Sequence, residues 1–310
     1  MGRRLALSWV VAAVICSAPP RQVGAQTPEP PPPDSAAGVP SPESLPLTQD
    51  LGRRLTLPVM VNGQGPFDFL VDTGSDRTVI SRELAARLAL PPGPRVIIHQ
   101  STGADNVETV VIDRLTVGSR EIRHIESPSL EARNLGGAGM LGVDALRDLH
   151  VVMDFKEMRM SSSPSRAEPL DDHTFVVSGR SRFGQLILAN ARIHDQPVLV
   201  VLDSGSEVSV GNPALLRLLT GRSRSAEPLK STTLVTVTGR RMVLELDDIA
   251  EADLGGIVIH NMPLAFGQMH IFDRFGLTRQ PALMLGMDVM SLCRRVTVDL
   301  RRREATFTLN

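Results

Sequence analysis

Two stretches decide the reading of this chain: Leu55–Asp72, LTLPVMVNGQGPFDFLVD, and Leu186–Asp203, LILANARIHDQPVLVVLD. Their opening Leu, their Pro (Pro66 and Pro197) and their closing Asp are all 131 residues apart. Thr73-Gly74-Ser75 follows the first stretch and Ser204-Gly205-Ser206 the second. Further on, Met140-Leu141-Gly142 with Asp144 is answered by Met284-Leu285-Gly286 with Asp288, now 144 residues later. The second copy therefore holds 13 more residues between its D-x-G-S and its Leu-Gly. Both copies end alike, HVVMDFKEMRM against RVTVDLRRREATFTL. An ordered series of matches of this kind marks an internal repeat, and a repeat is one structural unit used twice.

Each unit has the pattern of a small β domain. Apolar runs bounded by Gly, Pro and Asn predict strands at Thr56–Val61, Phe67–Val71, Val96–Ile98, Val107–Ile112 and Val151–Phe155. The second copy repeats them at Leu186–Ala189, Val198–Leu202, Leu234–Val237, Met242–Leu246 and Val296–Leu300. Helix is sparse. Ser81 caps a short helix running to Leu88, and Asp144 and Asp288 read as N-caps of single-turn helices. Domain limits follow: a signal over 1–25, a linker over 26–50, one lobe over 51–160, a Ser- and Pro-rich inter-lobe linker over 161–174, and a second lobe over 175–310.

Composition narrows the chemistry. The 310 residues carry 33 Lys and Arg against 34 Asp and Glu. Without its first 25 residues the chain keeps 30 bases and 34 acids, so it has no basic field for nucleic acid and no polybasic membrane anchor. Two Cys, Cys16 and Cys293, exclude a disulfide scaffold and a multi-Cys metal site, and Cys293 sits in an apolar patch that suits a core residue. The seven His form no pair at helical ligand spacing, so no metal and no cofactor are expected. No G-x-S-x-G is present for a nucleophile elbow.

The N-terminus reads as an export signal. Arg3 and Arg4 precede the apolar stretch Leu5–Ala18, and Val23-Gly24-Ala25 supplies small residues for cleavage. This stretch of fourteen residues falls short of the ~20 needed to span a bilayer as a helix, although an uncleaved anchor stays open. Gln26–Asp50 follows with eight Pro, four acids and no base, a composition that favours extended polyproline conformations. The expected location is therefore periplasmic or secreted.

The two D-x-G-S turns carry the chemistry. Each closes an apolar strand and presents an Asp at its end, with Gly74 or Gly205 allowing close backbone approach. The hydroxyls of Thr73 and Ser204 are expected to bond backbone across a pseudo-two-fold axis, and those of Ser75 and Ser206 to donate to their own carboxylates.

FLVDTGS and VVLDSGS, each followed by a Leu-Gly, resemble the pepsin-type and retropepsin-like aspartic proteases. The ending LGMDVMSLCRRVTVDLRRREATFTL is similar to the bacterial retropepsin-like branch. The resemblance implies an all-β, bilobal, pseudo-two-fold acid-protease fold with a few short helices and a cleft between the lobes. It implies that Asp72 and Asp203 form a catalytic dyad and that the two Leu-Gly segments pack under the turns. Two carboxylates so close share one proton, and the pair activates a water to hydrolyse a peptide or protein substrate. Donation from Ser75 and Ser206 leads to an expected acidic optimum. A chain holding both halves has no need to dimerise, so a monomer is expected.

Departures from the family are informative. Pepsin-type flaps usually carry a Tyr, and this chain has no Tyr at all. The candidate flap is Val96–Val111 turning over Ser101–Asn106, with Gly103, Asp105 and Asn106 suiting a mobile tip. A second candidate is Leu234–Leu246, turning near Thr238-Gly239. Asp76 stands where retropepsins carry a substrate-contacting Asp, but Val143 and Met287 replace its usual Arg partner, which leaves Asp76 and its counterpart Glu207 as solvated acids. Two other readings stay open: a silent peptide-binding or assembly module on the same fold, and an ATPase like actin or the sugar kinases, which also repeat apolar-D-x-G-[ST] in two lobes.

Overall fold

The structure is a computed structural model that describes residues 43–50, 54–146, 149–167, 171–221 and 230–310. The expected export signal and most of the Pro-rich linker lie outside the described residues. The all-β, two-lobed expectation holds. The longest described helix is Pro213–Thr220, so the helical subdomain of an actin-like ATPase is not found among these residues, and that alternative is set aside. No described helix is long and apolar enough to cross a membrane.

Each repeat builds the same core of strands. In the first, Leu55–Val61 and Gln64–Val71 form a hairpin turning at Asn62-Gly63, both at positive φ. In the second, Gln185–Ile193 and Gln196–Leu202 turn at His194-Asp195, again both at positive φ. Such turns match the right-handed twist of the strands they join. The last residues of each hairpin, Phe69–Val71 and Val200–Leu202, are apolar and fully buried. They are buried because a third strand lies beside them in parallel: Leu70 pairs with Met140 and Val71 with Leu141, while Val201 pairs with Met284 and Leu202 with Leu285. The Leu-Gly segments thus run under the turns, as expected. The Gly is required there, since a Cβ on Gly142 would meet the Arg77 backbone at 2.5 Å and one on Gly286 the Val208 backbone at 2.7 Å.

The similar endings of the two copies pair with each other. Leu149–Asp154 runs antiparallel to Arg295–Asp299, with Val151 opposite Val298 and Met153 opposite Val296. Arg159–Pro164, Glu304–Thr308 and Thr174–Arg182 extend this sheet beneath both lobes. One continuous apolar core therefore runs from Leu57, Phe69 and Leu141 through Met153 and Val296 to Leu202 and Leu285.

Local differences from expectation have clear causes. The linker expected over 26–50 does not reach its end. Glu43–Pro46 pairs with Arg159–Pro164, Thr48–Gln49 pairs with Thr56 and Leu55, and Leu47 is buried in the core. The inter-lobe linker likewise begins after the strand ending at Pro164. The helix Arg82–Arg87 is capped as expected, with Leu84 N donating to Ser81 Oγ at 3.1 Å. Asp144 and Asp288 lie inside their short helices, Val143–Leu146 and Met287–Met290, rather than at the caps. Their carboxylates instead grip the residue that closes each turn, just ahead of the next strand. Asp144 accepts from Thr78 N and Oγ1 at 2.9 and 2.7 Å, and Asp288 from Ser209 N and Oγ at 2.8 and 2.6 Å. Cys293 is buried in the core.

Candidate active site

The two turns meet at the lobe interface, each anchored from below in the same way. Asp72 N donates to Leu141 O at 2.9 Å and Asp203 N to Leu285 O at 3.0 Å. Thr73 and Ser204 then join the turns reciprocally. Ser204 Oγ donates to Val71 O at 2.8 Å and receives Thr73 N at 3.0 Å; Thr73 Oγ1 donates to Leu202 O at 3.2 Å and receives Ser204 N at 3.1 Å. All four bonds are buried, so each hydroxyl both donates and accepts away from water.

This lattice sets Asp72 and Asp203 face to face. Their residues are only 6% and 9% exposed, and the two carboxyls are close enough for each to act on the proton affinity of the other. Each also lies over the glycine of the opposite turn. A Cβ on Gly205 would stand 2.6 Å from Asp72 Oδ1, and one on Gly74 would stand 2.5 Å from Asp203 Cγ. No other residue leaves room for this crossing. The inner oxygens are held by the turns themselves, Gly74 N donating to Asp72 Oδ1 at 2.7 Å and Gly205 N to Asp203 Oδ1 at 3.0 Å.

Electrostatics follow from the burial. Loss of water pushes the Asp72 carboxyl well above the usual carboxylate range, and the Asp203 charge pushes it further. Burial raises Asp203 as well, with the hydrogen bond from Asp72 acting against the rise. The pair thus keeps one proton to a higher pH than a solvated carboxyl would, and it titrates as one system. Ser75 and Ser206 do not act as expected. Their hydroxyls donate at 2.8 Å to Arg77 O and Val208 O, closing the turns and not touching the carboxylates. The expected acidic optimum rested on that donation and loses its basis.

The dyad lies at the floor of a cleft of about 500 Å³. Its apolar walls repeat with the symmetry, Val79 against Val210 and Met140 against Met284. Its ends are charged: Asp76 and Glu207 are half-exposed to solvent, as expected, and each also faces an Arg that the sequence did not pair it with. Arg274, from the helix His270–Phe275, reaches Asp76 at 3.3 Å and lies 4.3 Å from the centre of the Phe183 ring. Arg54 reaches Glu207 at 3.8 Å while held by Asp50 at 2.6 Å. Each acid therefore has an Arg supplied by the opposite lobe. The repeat offered one signal for these residues: position 54 is Arg and its partner 131 residues on is Gln185, which donates to Gly74 O.

Two hairpins close the cleft from above. The first pairs Pro92–Gln100 with Gly103–Val117 and turns at Ser101-Thr102. Gly103, Asp105 and Asn106 belong to its second strand, with Asp105 opposite Ile98 and Asn106 opposite Ile97, so they are not the loose tip that was expected. The turn is shorter because Gln100 pairs with Gly103, whose φ of 140° lets the strand start at once. The second hairpin pairs Lys230–Val235 with Arg241–Leu254 and turns through Thr238-Gly239, as expected. The tips are tied together. Asp105 of the first receives Arg240 and Thr238 of the second, the latter at 3.0 Å. Ser101 O also accepts His270 N at 2.8 Å, and the His99 and His270 rings stack with centres 5.2 Å apart.

Comparison with known families gives two matches in tandem. A gag-polyprotein putative aspartyl protease family matches residues 57–148, and an aspartyl protease family matches residues 189–289. No curated protein matches the chain. Each match spans one D-x-G-S turn together with its Leu-Gly, the elements that build the paired carboxyls. The chain belongs to the retropepsin-like aspartyl proteases and carries both lobes in one polypeptide.

Proposed function

We propose that the protein is an aspartic endopeptidase that hydrolyses peptide bonds with a water activated between Asp72 and Asp203. The observation that carries this reading is the buried pair of carboxyls, each lying over the glycine of the opposite turn on the floor of the cleft. With one proton on the pair, the ionised carboxylate takes a proton from water as its oxygen attacks the scissile carbonyl. The protonated carboxyl gives its proton to the carbonyl oxygen, forming a neutral tetrahedral diol. Collapse of the diol breaks the C–N bond; the leaving nitrogen receives a proton from the pair, and one diol hydroxyl returns its proton to it. The product acid and amine leave with the dyad again holding one proton. No covalent intermediate is formed.

Both halves of the site come from one chain, so the reading needs no second copy. The apolar stretch Leu5–Ala18 with Val23-Gly24-Ala25 supports action outside the cytoplasm. The test is cleavage of an unfolded protein by the wild type, Asp72→Asn and Asp203→Asn, across pH 3 to 8. Cleavage by the wild type and its loss in both folded variants is the expected result. Retention of cleavage in either variant refutes the mechanism.

A further inference from the structure

The even charge balance of the whole chain, which argues against a polybasic anchor, hides a corner of the inter-lobe sheet where the fold gathers arginines from three segments. Asp299 organises that corner. It ends the strand Arg295–Asp299 and is 3% exposed. Its carboxylate receives Ser165 Oγ at 2.8 Å, Arg166 N at 3.2 Å and Arg302 N at 2.9 Å. The residues after Pro164 and the turn over 301–303 are therefore fastened to one buried group. Gly179 N donates to Arg303 O at 2.8 Å and brings in the third segment, with Arg180. Arg166, Arg180, Arg301, Arg302 and Arg303 are all exposed. Among the described residues, only Arg302 of these five pairs with a carboxylate, that of Glu304 at 2.8 Å. Like charges brought together in this way repel one another, so the arrangement favours an anion from outside.

The nature of that anion follows from the shape of the corner and from where the chain enters it. None of the five arginines lines the cleft. They are spread over an outer corner and do not converge on a pocket, which suits many phosphates in a plane better than one free phosphate. A guanidinium meets each phosphate with two parallel N–H bonds. Among the described residues, none of the exposed large apolar side chains belongs to these segments, whereas a protein partner would need an apolar centre to its contact. The strand Glu43–Pro46 runs antiparallel to Arg159–Pro164, with Glu43 opposite Ser162 and Pro46 opposite Arg159. Its N-terminal end therefore lies toward Pro164 and Arg166, and residues 1–42 join the body at the arginine corner. Those residues include the apolar stretch Leu5–Ala18. Residues 19–42 lie between, a reach of at most about 80 Å. A bilayer that takes up Leu5–Ala18 thus meets this corner at a high effective concentration.

We propose that the corner formed by Arg166, Arg180, Arg301, Arg302 and Arg303 binds the phosphate headgroups of an anionic lipid bilayer, holding the body against the membrane while the cleft stays free. Asp299 acts as a positioning residue, because it holds two of the three arginine segments together. This surface does not depend on the peptidase reading.

The test uses the full chain and vesicles of phosphatidylcholine, alone or with about one-third phosphatidylglycerol, and reads the fraction of protein that sediments with them. An arginine near an anionic surface is worth about 5-fold in partition. The triple variant Arg166→Gln, Arg301→Gln, Arg303→Gln should therefore partition about 100-fold more weakly into the anionic vesicles, and equally with the wild type into phosphatidylcholine, where the apolar stretch acts alone. Arg301→Gln by itself should lose about 5-fold, which keeps the test decisive if the triple variant does not fold. A second triple variant, Arg95→Gln, Arg123→Gln, Arg133→Gln, removes the same charge from exposed sites on the first lobe and should stay within a few-fold of the wild type. Equal partition of wild type and corner variants into anionic vesicles overturns the proposal, as does an equal loss in the first-lobe variant. Competition by inorganic phosphate beyond that of sodium chloride at the same ionic strength would mean a site for a single anion and would also overturn it. Binding of polyglutamate as tight as that of the vesicles would assign the corner to an acidic protein instead.

Discussion

The two lobes agree bond for bond at their centre and part company a few residues away. Around the carboxyls, Asp72 and Asp203 are held by equivalent backbone donors, Thr73 and Ser204 exchange equivalent bonds, and Asp144 and Asp288 grip equivalent hydroxyl residues. At the rim, Arg54 in one lobe is answered by Gln185 in the other, and the Arg that pairs with Asp76 comes from a helix in the second lobe. On the proposed mechanism, symmetry is kept where two groups share one proton and lost at walls that would meet different parts of a substrate. The agreement is therefore a hypothesis about chemistry and the disagreement a hypothesis about recognition.

The largest effect tests the agreement. Asp72→Asn and Asp203→Asn should each lower kcat/KM by about 10²–10⁴-fold, since each removes one member of an acid–base pair. A large inequality between them would break the symmetry of the centre. The wild-type pH profile should be bell-shaped, with activity lost below the pH where both carboxyls are protonated and above the pH where neither is. Since burial raises both, the limbs should lie above the ordinary carboxylate value of 3.8. Stability gives an independent readout of the same cause. A raised folded-state pKa means stability present below pH 3.8 and lost as pH rises through the folded-state value. Asp72→Asn should therefore melt at a higher temperature than the wild type at pH 7, with the gap closing as pH falls toward 3.8. A variant that melts lower at pH 7 would show that burial of this carboxyl is not the source of its shift.

The hydroxyl lattice comes next. Thr73→Ala and Ser204→Ala each remove a buried donor and acceptor and leave partners in the other lobe unpaired. Each should destabilise by about 1–3 kcal/mol in denaturant melts. Because the bonds are reciprocal, the double variant should cost less than the sum of the two. Strict additivity would mean that the turns do not support each other across the interface.

Much of this centre was legible in the sequence because its parts recur in the same order in both copies. The hairpins, the D-x-G-S turns and the Leu-Gly strands are short-range patterns, and repetition separates them from chance. What was not legible depends on side-chain direction. Ser75 and Ser206 have the right chemistry to bond a carboxylate, yet the tight turn aims their hydroxyls at the backbone two residues on. Asp144 and Asp288 have the right chemistry to cap a helix, yet the residue closing the neighbouring turn offers a hydroxyl and an amide together. Asp76 is half-exposed, as expected, but its pairing with Arg274 was not legible, because 198 residues separate the two and they share no motif. Gln100 and Thr236 escaped notice because Gln and Thr near a hairpin tip are unremarkable until both prove to be buried over the same cleft.

The smallest effect sharpens the disagreement at the rim. The Arg54 charge lowers the proton affinity of both carboxyls, although burial outweighs it. Arg54→Met should therefore move both limbs of the pH profile upward, whereas Arg54→Lys should leave them close to the wild type. Gln185→Met, at the equivalent position, removes no charge and should lower activity without moving either limb. Arg54 also ties down Asp50 and donates to Leu135 O at 3.1 Å, so the three variants are to be compared under conditions where melting curves show each to be folded. If Arg54→Met leaves both limbs in place, the guanidinium acts only as a brace, and the charge asymmetry between the lobes has no bearing on the shared proton.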